Sequence, residues 1–392
     1  MPYLSKAFTE VVDLYRKHLT GAQKPLQRWE FCADTTQMFF GHLMNSLLFK
    51  EQERSLRDNR EEVVHRMFSG LREAVSQQVS ASGAFDYYSR QTALEKLRSM
   101  SLQVGTPAIL LDRKFLKIIY KDLSVQKTDF FQNMQYGQTF LRRREEHELV
   151  SPGEETRWLR NLLSDSVTFV PSANKVVIPE YLLRPPLFHP EYPYNVNLGG
   201  LGVMLGEAVV EGVAGLGSVF TAAGGKIREK FLGVNSAYFS GRILDGQNSS
   251  NFTLSRVGEA NFPLKRLSSC LQGQWSEMRL DTPDHLLKCS TKSAVAVAGL
   301  AAAYAAVEEM FGEQGAVLLP ALETLDPQAV FFLQHAQSLC SSQTLQQRDF
   351  DRAVHNSLLG PEKLRGELSQ FAQFRHFFFC SEESQYTCET VM

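Results

Sequence analysis

The chain has 392 residues, of which 43% are hydrophobic and 21% are charged. This is the composition of a globular protein with a sizeable core, and it excludes an intrinsically disordered chain. The 41 basic and 43 acidic residues nearly cancel. Electrostatics therefore give no reason to expect nucleic acid or an anionic membrane surface as a partner.

The N-terminal residues 1–19 carry charges throughout and contain no apolar core segment, so they do not form a signal peptide. The longest uncharged apolar stretches are residues 212–225 and 293–307. Both are shorter than the roughly 20 residues that a helix needs to cross a bilayer. The sequence therefore predicts a soluble chain without a membrane-spanning segment.

The first 150 residues are predicted to be helical. Apolar residues recur at helical spacing in residues 29–51 and 63–79. Two further helices are predicted at residues 89–100 and 129–148, and the Gly and Pro in residues 102–107 end the first of these.

The pattern changes after Ser151-Pro152-Gly153. Residues 166–170 and 175–178 are short and rich in β-branched residues, which predicts a hairpin or two edge strands. A small-residue helix is predicted at residues 202–215, followed by a loop-rich stretch over 216–290. Helices near 292–310, 326–339 and 362–378 complete the prediction.

Four blocks carry a resemblance to a known family. Residues 28–52 begin Arg-Trp-Glu-Phe-Cys and end Phe-Lys-Glu-Gln, and residues 176–207 contain a Pro-Pro-Leu-Phe turn that leads into Gly-Gly-Leu-Gly. Residues 318–340 contain Leu-Pro-Ala-Leu and Phe-Phe-Leu-Gln-His-Ala-Gln, and the chain ends Phe-Cys and then Cys-Glu-Thr-Val-Met. In order and spacing these blocks resemble the neprilysin and endothelin-converting enzyme family of zinc metallopeptidases.

The resemblance implies a mainly α, neprilysin-like two-lobed helical protein with a small β element. Residues 1–165 would form part of a helical lobe, and residues 166–392 would form a zincin-like lobe that contains the former catalytic site. The family's ectodomain is disulfide-bonded and glycosylated, which makes Cys270–Cys388 the disulfide candidate. Two sequons make Asn248 and Asn251 the glycosylation candidates.

The family's zinc site is altered in this sequence. In the family a His-Glu-x-x-His helix places two zinc ligands on one face, with the Glu between them as general base. The matching residues here are Glu207, Ala208 and Glu211. The third zinc ligand falls on Lys292, and the Asp that orients a ligand His falls on Ala296.

The other functional positions of the family are also replaced. Its substrate-binding Asn-Ala pair falls on Ser166 and Val167, its transition-state His on Ser357, and its substrate-binding Arg on Lys363. None of the nine His residues lies four residues from another. We therefore expect zinc to be lost and no other cofactor to replace it.

Two acidic residues one helical turn apart repel each other and are costly to desolvate. We hypothesise that Lys292 takes the place of zinc as a buried ammonium between Glu207 and Glu211. The alternatives are that both carboxylates face solvent in a relaxed cleft, or that they bind a hard cation such as Ca²⁺.

The function that we predict is that of a catalytically inactive neprilysin-like pseudopeptidase with a binding or regulatory role. Its partners would be peptides in the old cleft or a full-length member of the family. One alternative is an active zinc metalloendopeptidase with an unrecognised site, and another is a purely structural ectodomain module. The resemblance implies the cell surface or secretory pathway, whereas the predicted lack of a signal peptide and anchor leaves the cytoplasm as the alternative.

Overall fold

The computed structural model describes residues 6–50, 54–83, 85–150, 164–225, 264–278, 283–314, 323–355, 358, 360–380 and 388. Within these residues the fold is mainly helical with one small sheet, which confirms the predicted fold class. The helices are α1 (Lys6–Thr20), α2 (Arg28–Lys50), α3 (Arg54–Ala81), α4 (Tyr87–Ser99), α5 (Arg113–Ile119), α6 (Phe130–Val150), α7 (Tyr194–Asn197), α8 (Val203–Ala214), α9 (Lys265–Glu277), α10 (Pro283–Gln314), α11 (Pro327–Ser338), α12 (Leu345–His355), α13 (Gly360–Leu368) and α14 (Ala372–Phe377).

The core is built around the crossing of α8 and α10. A Cβ atom on Gly206 would lie 2.6 Å from the Gly299 carbonyl oxygen, and one on Gly299 would lie 2.5 Å from the Glu207 nitrogen. Only glycine at these two positions lets the backbones approach so closely. The apolar side chains of both helices join one hydrophobic cluster with α3, α4 and α11, so the α8–α10 crossing determines where residue 207 lies.

The sheet has three strands in the order β1 (Ser101–Val104), β3 (Lys175–Ile178) and β2 (Thr168–Val170). Strands β2 and β3 pair antiparallel, which confirms the predicted hairpin, and β1 pairs parallel to β3. The sequence analysis missed β1 because only four residues separate a helix from a Gly-Thr-Pro turn. Strand β1 and helices α3 and α4 belong to the first predicted domain, yet they share the core of the second. The division at residue 165 stays a prediction.

A buried ion pair holds α3 against the sheet. Arg60 Nη1 lies 2.8 Å from Glu180 Oε1, and both side chains are nearly inaccessible to solvent. Glu180 Oε2 also accepts a hydrogen bond from the Thr106 backbone nitrogen at 2.9 Å. One carboxylate therefore links the helix to the turn that follows β1.

Helix α2 is kinked in the middle. Phe40 has φ −119° and ψ 24°, outside the helical region. Helix α6 packs closely on this part of α2, because a Cβ on Gly137 would lie 2.5 Å from the Phe39 ring. The ring of Tyr120, at the end of α5, lies beside Phe40 at 5.4 Å between centroids.

Two helical stretches within the described residues, Tyr194–Val219 and Cys289–Gly312, are long and apolar enough to cross a membrane. They exceed the uncharged runs of the sequence analysis because they include charged residues, which are Glu207 and Glu211 in the first stretch and Lys292, Glu308 and Glu309 in the second. Their most apolar windows are 83% and 67% buried inside the protein. Core helices of soluble proteins pass the same test of length and composition, so these stretches are weak evidence for a membrane span.

The second half contains more helix than the sequence predicts. Helix α9 lies in the stretch predicted as loop, α12 was not predicted, and α10 begins nine residues earlier than expected. The helix expected over 362–378 is two helices, α13 and α14, separated by a turn at residues 369–371.

Candidate functional site: the former zinc cleft

Glu207 and Glu211, which the resemblance matches to zinc-binding positions of the family, lie on α8. Glu207 and Glu211 are half-buried, one turn apart, whereas Ala208 is only 5% exposed and belongs to the core. Ala296 on α10 is also buried, at 6% exposure. The helix therefore carries two half-buried carboxylates one turn apart, and a buried methyl group at Ala208 between them.

A cation from α13 lies at Glu207. Lys363 Nζ is 3.3 Å from Glu207 Oε1 and 3.5 Å from Glu367 Oε1, and Glu367 Oε2 lies 2.9 Å from His335 Nε2. Glu367 and His335 have side chains that are 2% exposed, while Lys363 and Glu207 are about a quarter exposed. These contacts join side chains from α8, α13 and α11. We call this set of side chains the Lys363 network; its members are Glu207, Lys363, Glu367 and His335.

Opposite charges stabilise the ionised forms in this network. Burial opposes the charge on Lys363, but the carboxylates of Glu207 and Glu367 outweigh it and raise the lysine pKa. Burial likewise opposes ionisation of Glu367, but Lys363 and then His335 outweigh it and lower the pKa of that carboxyl group. Lys363 and Glu367 are therefore both charged at neutral pH.

The hypothesis of a buried Lys292 between the two glutamates is wrong. Lys292 is exposed on α10, so its ammonium group is not buried between the two carboxylates. The neighbouring Ser293 and Ala296 face the core instead. The cation that pairs with Glu207 is Lys363, which the sequence analysis placed at the substrate-binding position.

Helix α9 holds α13 in place. Trp275 Nε1 donates a hydrogen bond to the Gly366 carbonyl oxygen at 3.1 Å, and a Cβ on Gly366 would lie 2.9 Å from the Trp275 ring. Cys270 on α9 forms a disulfide with Cys388, which confirms the pairing that the resemblance implied. The helix that the sequence analysis read as loop therefore positions Lys363.

Lys96 anchors the C-terminal end of α8. Its side chain is 1% exposed, and Nζ donates hydrogen bonds to the carbonyl oxygens of Gly212, at 2.6 Å, and Gly217. Burial lowers the pKa of Lys96 to about 8. A cation at this end of a helix also interacts favourably with the helix dipole.

Ser166 and Val167, which the resemblance matches to the family's substrate-binding pair, precede the edge strand β2. Ser166 is exposed, and Val167 packs partly against the core. Phe169 in β2 contacts α8, since a Cβ on Gly212 would lie 3.2 Å from its ring. Strand β2 therefore lies along the C-terminal half of the helix that carries Glu207 and Glu211.

Three predicted positions, Ser357, Asn248 and Asn251, lie outside the described residues. Within the residues that the structure does describe, no group of three or more His, Cys, Asp or Glu side chains is placed to hold a metal ion.

The sequence analysis missed Glu367 and His335. Glu367 follows Lys363 by four residues, a spacing that places the two side chains on one helical face, so this pair was detectable. His335 is 32 residues away in the chain, and its contact with Glu367 depends on how α11 packs against α13.

Two family models match this chain. Residues 1–107 match the model Peptidase_M13_N and residues 266–391 match the model Peptidase_M13, both described as peptidase family M13. Together they cover more than half of the chain. The chain belongs to peptidase family M13, the family of neprilysin and the endothelin-converting enzymes.

Among curated relatives, the chain is similar to an endothelin-converting enzyme homolog from Locusta migratoria, 25% identical over 96% of this chain and 48% of that protein. It is also similar to neprilysin from Homo sapiens, 23% identical over 97% of this chain and 48% of that protein. The chain thus spans about half the length of the curated relatives that it matches.

Among solved structures, the zinc metalloprotease ZMP1 of Mycobacterium tuberculosis, in complex with an inhibitor, matches with a TM-score of 0.76. The match is 20% identical and covers 99% of this chain and 55% of that one. PepO from Lactobacillus rhamnosis matches with a TM-score of 0.71 and 15% identity over 100% of this chain and 55% of that one. At these identities the likeness establishes the fold.

Proposed function

We propose that this protein is a non-catalytic member of peptidase family M13 that binds peptides in the former cleft. The observation that carries the proposal is the ion pair between Lys363 and Glu207 at 3.3 Å. It places an ammonium group beside the side chain at the first zinc-ligand position. In a catalytic site that side chain would have to be free to ligate a metal ion.

The residues at the site do not fit zinc. A family site needs two imidazoles and a carboxylate, whereas this chain offers Glu207 and Glu211, with Lys292 at the third position. The Lys363 ammonium repels a divalent cation approaching Glu207, and Glu207 would have to leave its partner in order to ligate. Ala208 has no group that can take a proton from water.

Peptide binding is supported by the edge of the sheet. Strand β2 is an edge strand in the three-stranded sheet of the described residues, and it lies beside α8. An extended peptide can add to such an edge through its backbone hydrogen bonds, and this mode needs neither a metal nor a nucleophile. Recognition would therefore persist after the loss of catalysis.

The first experiment measures bound zinc and peptide cleavage together. The purified chain, equilibrated with zinc and desalted, is expected to contain none by metal mass spectrometry and to cleave no quenched-fluorescence peptide. A variant carrying Glu207→His, Ala208→Glu, Glu211→His and Lys292→Glu is the matched control, expected to retain about one zinc per chain at the sub-micromolar affinities of three-ligand sites. One zinc in the unmodified chain, with cleavage, would favour the active metalloendopeptidase instead.

Peptide affinity separates a binding protein from a purely structural module. We expect a labelled pool of random hexapeptides to bind with dissociation constants on the order of 10 to 100 μM, the range of contacts that bury little area. Ser166→Pro, which disturbs the backbone next to the edge strand, is expected to weaken binding, and Ser164→Pro serves as its neighbour control. Absence of binding at millimolar peptide would favour the structural module.

A further inference from the structure

Helix α1 carries an apolar face that is open to solvent. None of the 15 residues of α1 is buried. Four large apolar side chains on this helix are 51 to 68% exposed, and we call them the α1 face: Phe8, Val11, Leu14 and Tyr15. Single apolar side chains are common on protein surfaces, whereas a contiguous apolar patch marks a site of contact with another molecule.

The spacing of these four residues makes the α1 face continuous. Val11 lies three residues after Phe8 and four before Tyr15, and Leu14 lies three residues after Val11. Residues three and four apart are neighbours on the surface of a helix, so the four side chains form one stripe. A helix of this length is only marginally stable by itself in water, so covering the stripe would stabilise α1.

The rest of the protein packs on a different side of α1. Helix α12 lies against α1, and the Thr344 hydroxyl donates a hydrogen bond to the Thr20 carbonyl oxygen. Val12 and Leu19, which lie next to the α1 face on the helix surface, are half-buried. Helix α12 therefore holds α1 in place and leaves the α1 face uncovered.

Charges of opposite sign lie along one edge of the α1 face. Glu10 precedes Leu14 by four residues and Lys17 follows it by three, so the three side chains form one row on the helix. Glu10 also lies 3.8 Å from Lys6, but both side chains are mostly exposed, so this pair is weak. The row has its acid in the N-terminal half of α1 and its base in the C-terminal half.

This order of charges is self-complementary in one orientation. If two α1 helices pair antiparallel, Glu10 of each copy lies opposite Lys17 of the other. If they pair parallel, each charge lies opposite a like charge, which is unfavourable. The α1 face therefore fits a second copy of this chain that runs in the opposite direction.

We propose that two copies of this chain associate through an antiparallel pairing of their α1 helices. The two α1 faces would meet across a two-fold axis, with Val11 of each copy packed against Tyr15 of the other. A two-fold axis is the commonest symmetry of homo-oligomers, and it uses the same patch on both subunits. Burial of the apolar side chains supplies the attraction, and the two Glu10–Lys17 contacts set the direction.

Sedimentation equilibrium of the full chain tests the proposal. The exposed thiols of Cys32, Cys340 and Cys380 are first alkylated with iodoacetamide, which prevents disulfides between copies and leaves the Cys270–Cys388 disulfide intact. We expect a dimer with a dissociation constant on the order of 10 to 100 μM, because two short helices bury less than the roughly 1,600 Å² of a standard interface. A chain that stays monomeric at about 300 μM would refute the proposal.

A matched pair of variants locates the interface. Val11 is 64% exposed, and Ile118 on α5 is 65% exposed, so a glutamate at either position disturbs no buried core. Val11→Glu is expected to weaken dimerisation at least about 10-fold, whereas Ile118→Glu should change it less than about 2-fold. Equal dimerisation of the two variants would show that the copies associate through another surface, and would overturn the proposal.

An exchange of charges tests the antiparallel direction. Glu10→Lys and Lys17→Glu each place like charges opposite one another in their own dimers, so each is expected to dimerise about 3- to 10-fold more weakly. In a mixture of the two variants both contacts again join opposite charges, and the heterodimer is expected to form as tightly as the dimer of the unmodified chain. A loss of stability in the single variants does not produce this recovery. A mixture that stays as weak as its components would contradict the antiparallel pairing.

A relative from the same family is the alternative occupant of the α1 face. The ectodomain of neprilysin from Homo sapiens, added at equal concentration, provides this partner. A complex with neprilysin that Val11→Glu abolishes, formed by a chain that does not dimerise alone, would assign the face to a family member and overturn the proposal. Neither zinc content nor peptide affinity enters these measurements, so their outcome is independent of the function proposed for the cleft.

Discussion

The Lys363 network and the contact between α2 and α6 both place charged and polar groups in the protein interior, but these groups are satisfied differently. In the cleft, Lys363 pairs with two carboxylates, and Glu367 in turn pairs with His335. Between α2 and α6, Arg144 Nη1 lies 3.4 Å from His42 Nε2, and Asn45 Oδ1 makes no hydrogen bond within the described residues. A network of opposite charges holds helices together, whereas a buried amide oxygen without a donor costs free energy.

The largest expected effect tests whether the Lys363 network is structural. Lys363→Met leaves the buried Glu367 without its cation and should lower the free energy of unfolding by about 3 kcal/mol, since removing one member of a buried pair leaves an uncompensated charge. Urea denaturation measures the change. Lys292→Met is the matched control and should cost about 1 kcal/mol or less, because that lysine is exposed. Equal losses in the two variants would contradict the placement of the cation at Glu207.

A smaller effect tests the backbone that positions Glu207. In Gly299→Ala the new methyl group would meet the Glu207 nitrogen at 2.5 Å and its Cα at 2.7 Å, so α8 and α10 must separate, at a cost of about 2 kcal/mol. Gly273→Ala on α9 has no atom within 4 Å of the new Cβ and should stabilise by about 0.5 to 1 kcal/mol. Thermal unfolding of both variants measures these changes in stability. A Gly299→Ala variant as stable as the unmodified chain would show that α8 and α10 are not in close contact.

The smallest effect concerns acid stability at His42, which lies beside Arg144 of α6. The pKa of His42 is about 4 in the folded chain and about 6.5 when unfolded, so the unfolded chain takes up a proton first as the pH falls. The free energy of unfolding should therefore fall between pH 6.5 and 4, by roughly 1 to 2 kcal/mol from this residue. In His42→Gln the decline should be shallower by that amount, whereas His18→Gln, at an exposed histidine, should leave it unchanged. Identical pH profiles for the two variants would show that His42 titrates normally.

Much of the fold was predictable from local patterns. Helices α2, α3, α4, α6, α8 and α11 follow from apolar periodicity, and the β2–β3 hairpin follows from two β-branched runs around Pro171-Ser172-Ala173-Asn174. Helix α9 was missed because its apolar residues are sparse, and its burial depends on Trp275 packing against α13. Strand β1 was missed because four residues give too little pattern, and its pairing partner lies more than 70 residues away.

The sequence by itself determined the family resemblance and the disulfide between Cys270 and Cys388, while the replacement of the zinc-site residues stays a prediction. These are properties of residue identity and order, which a resemblance transfers position by position. Only the tertiary structure decided that Lys363 rather than Lys292 pairs with Glu207, and that His335 reaches Glu367. Both outcomes depend on the angles and distances at which α8, α10, α11 and α13 pack, which arise from close-packed contacts between segments far apart in the chain.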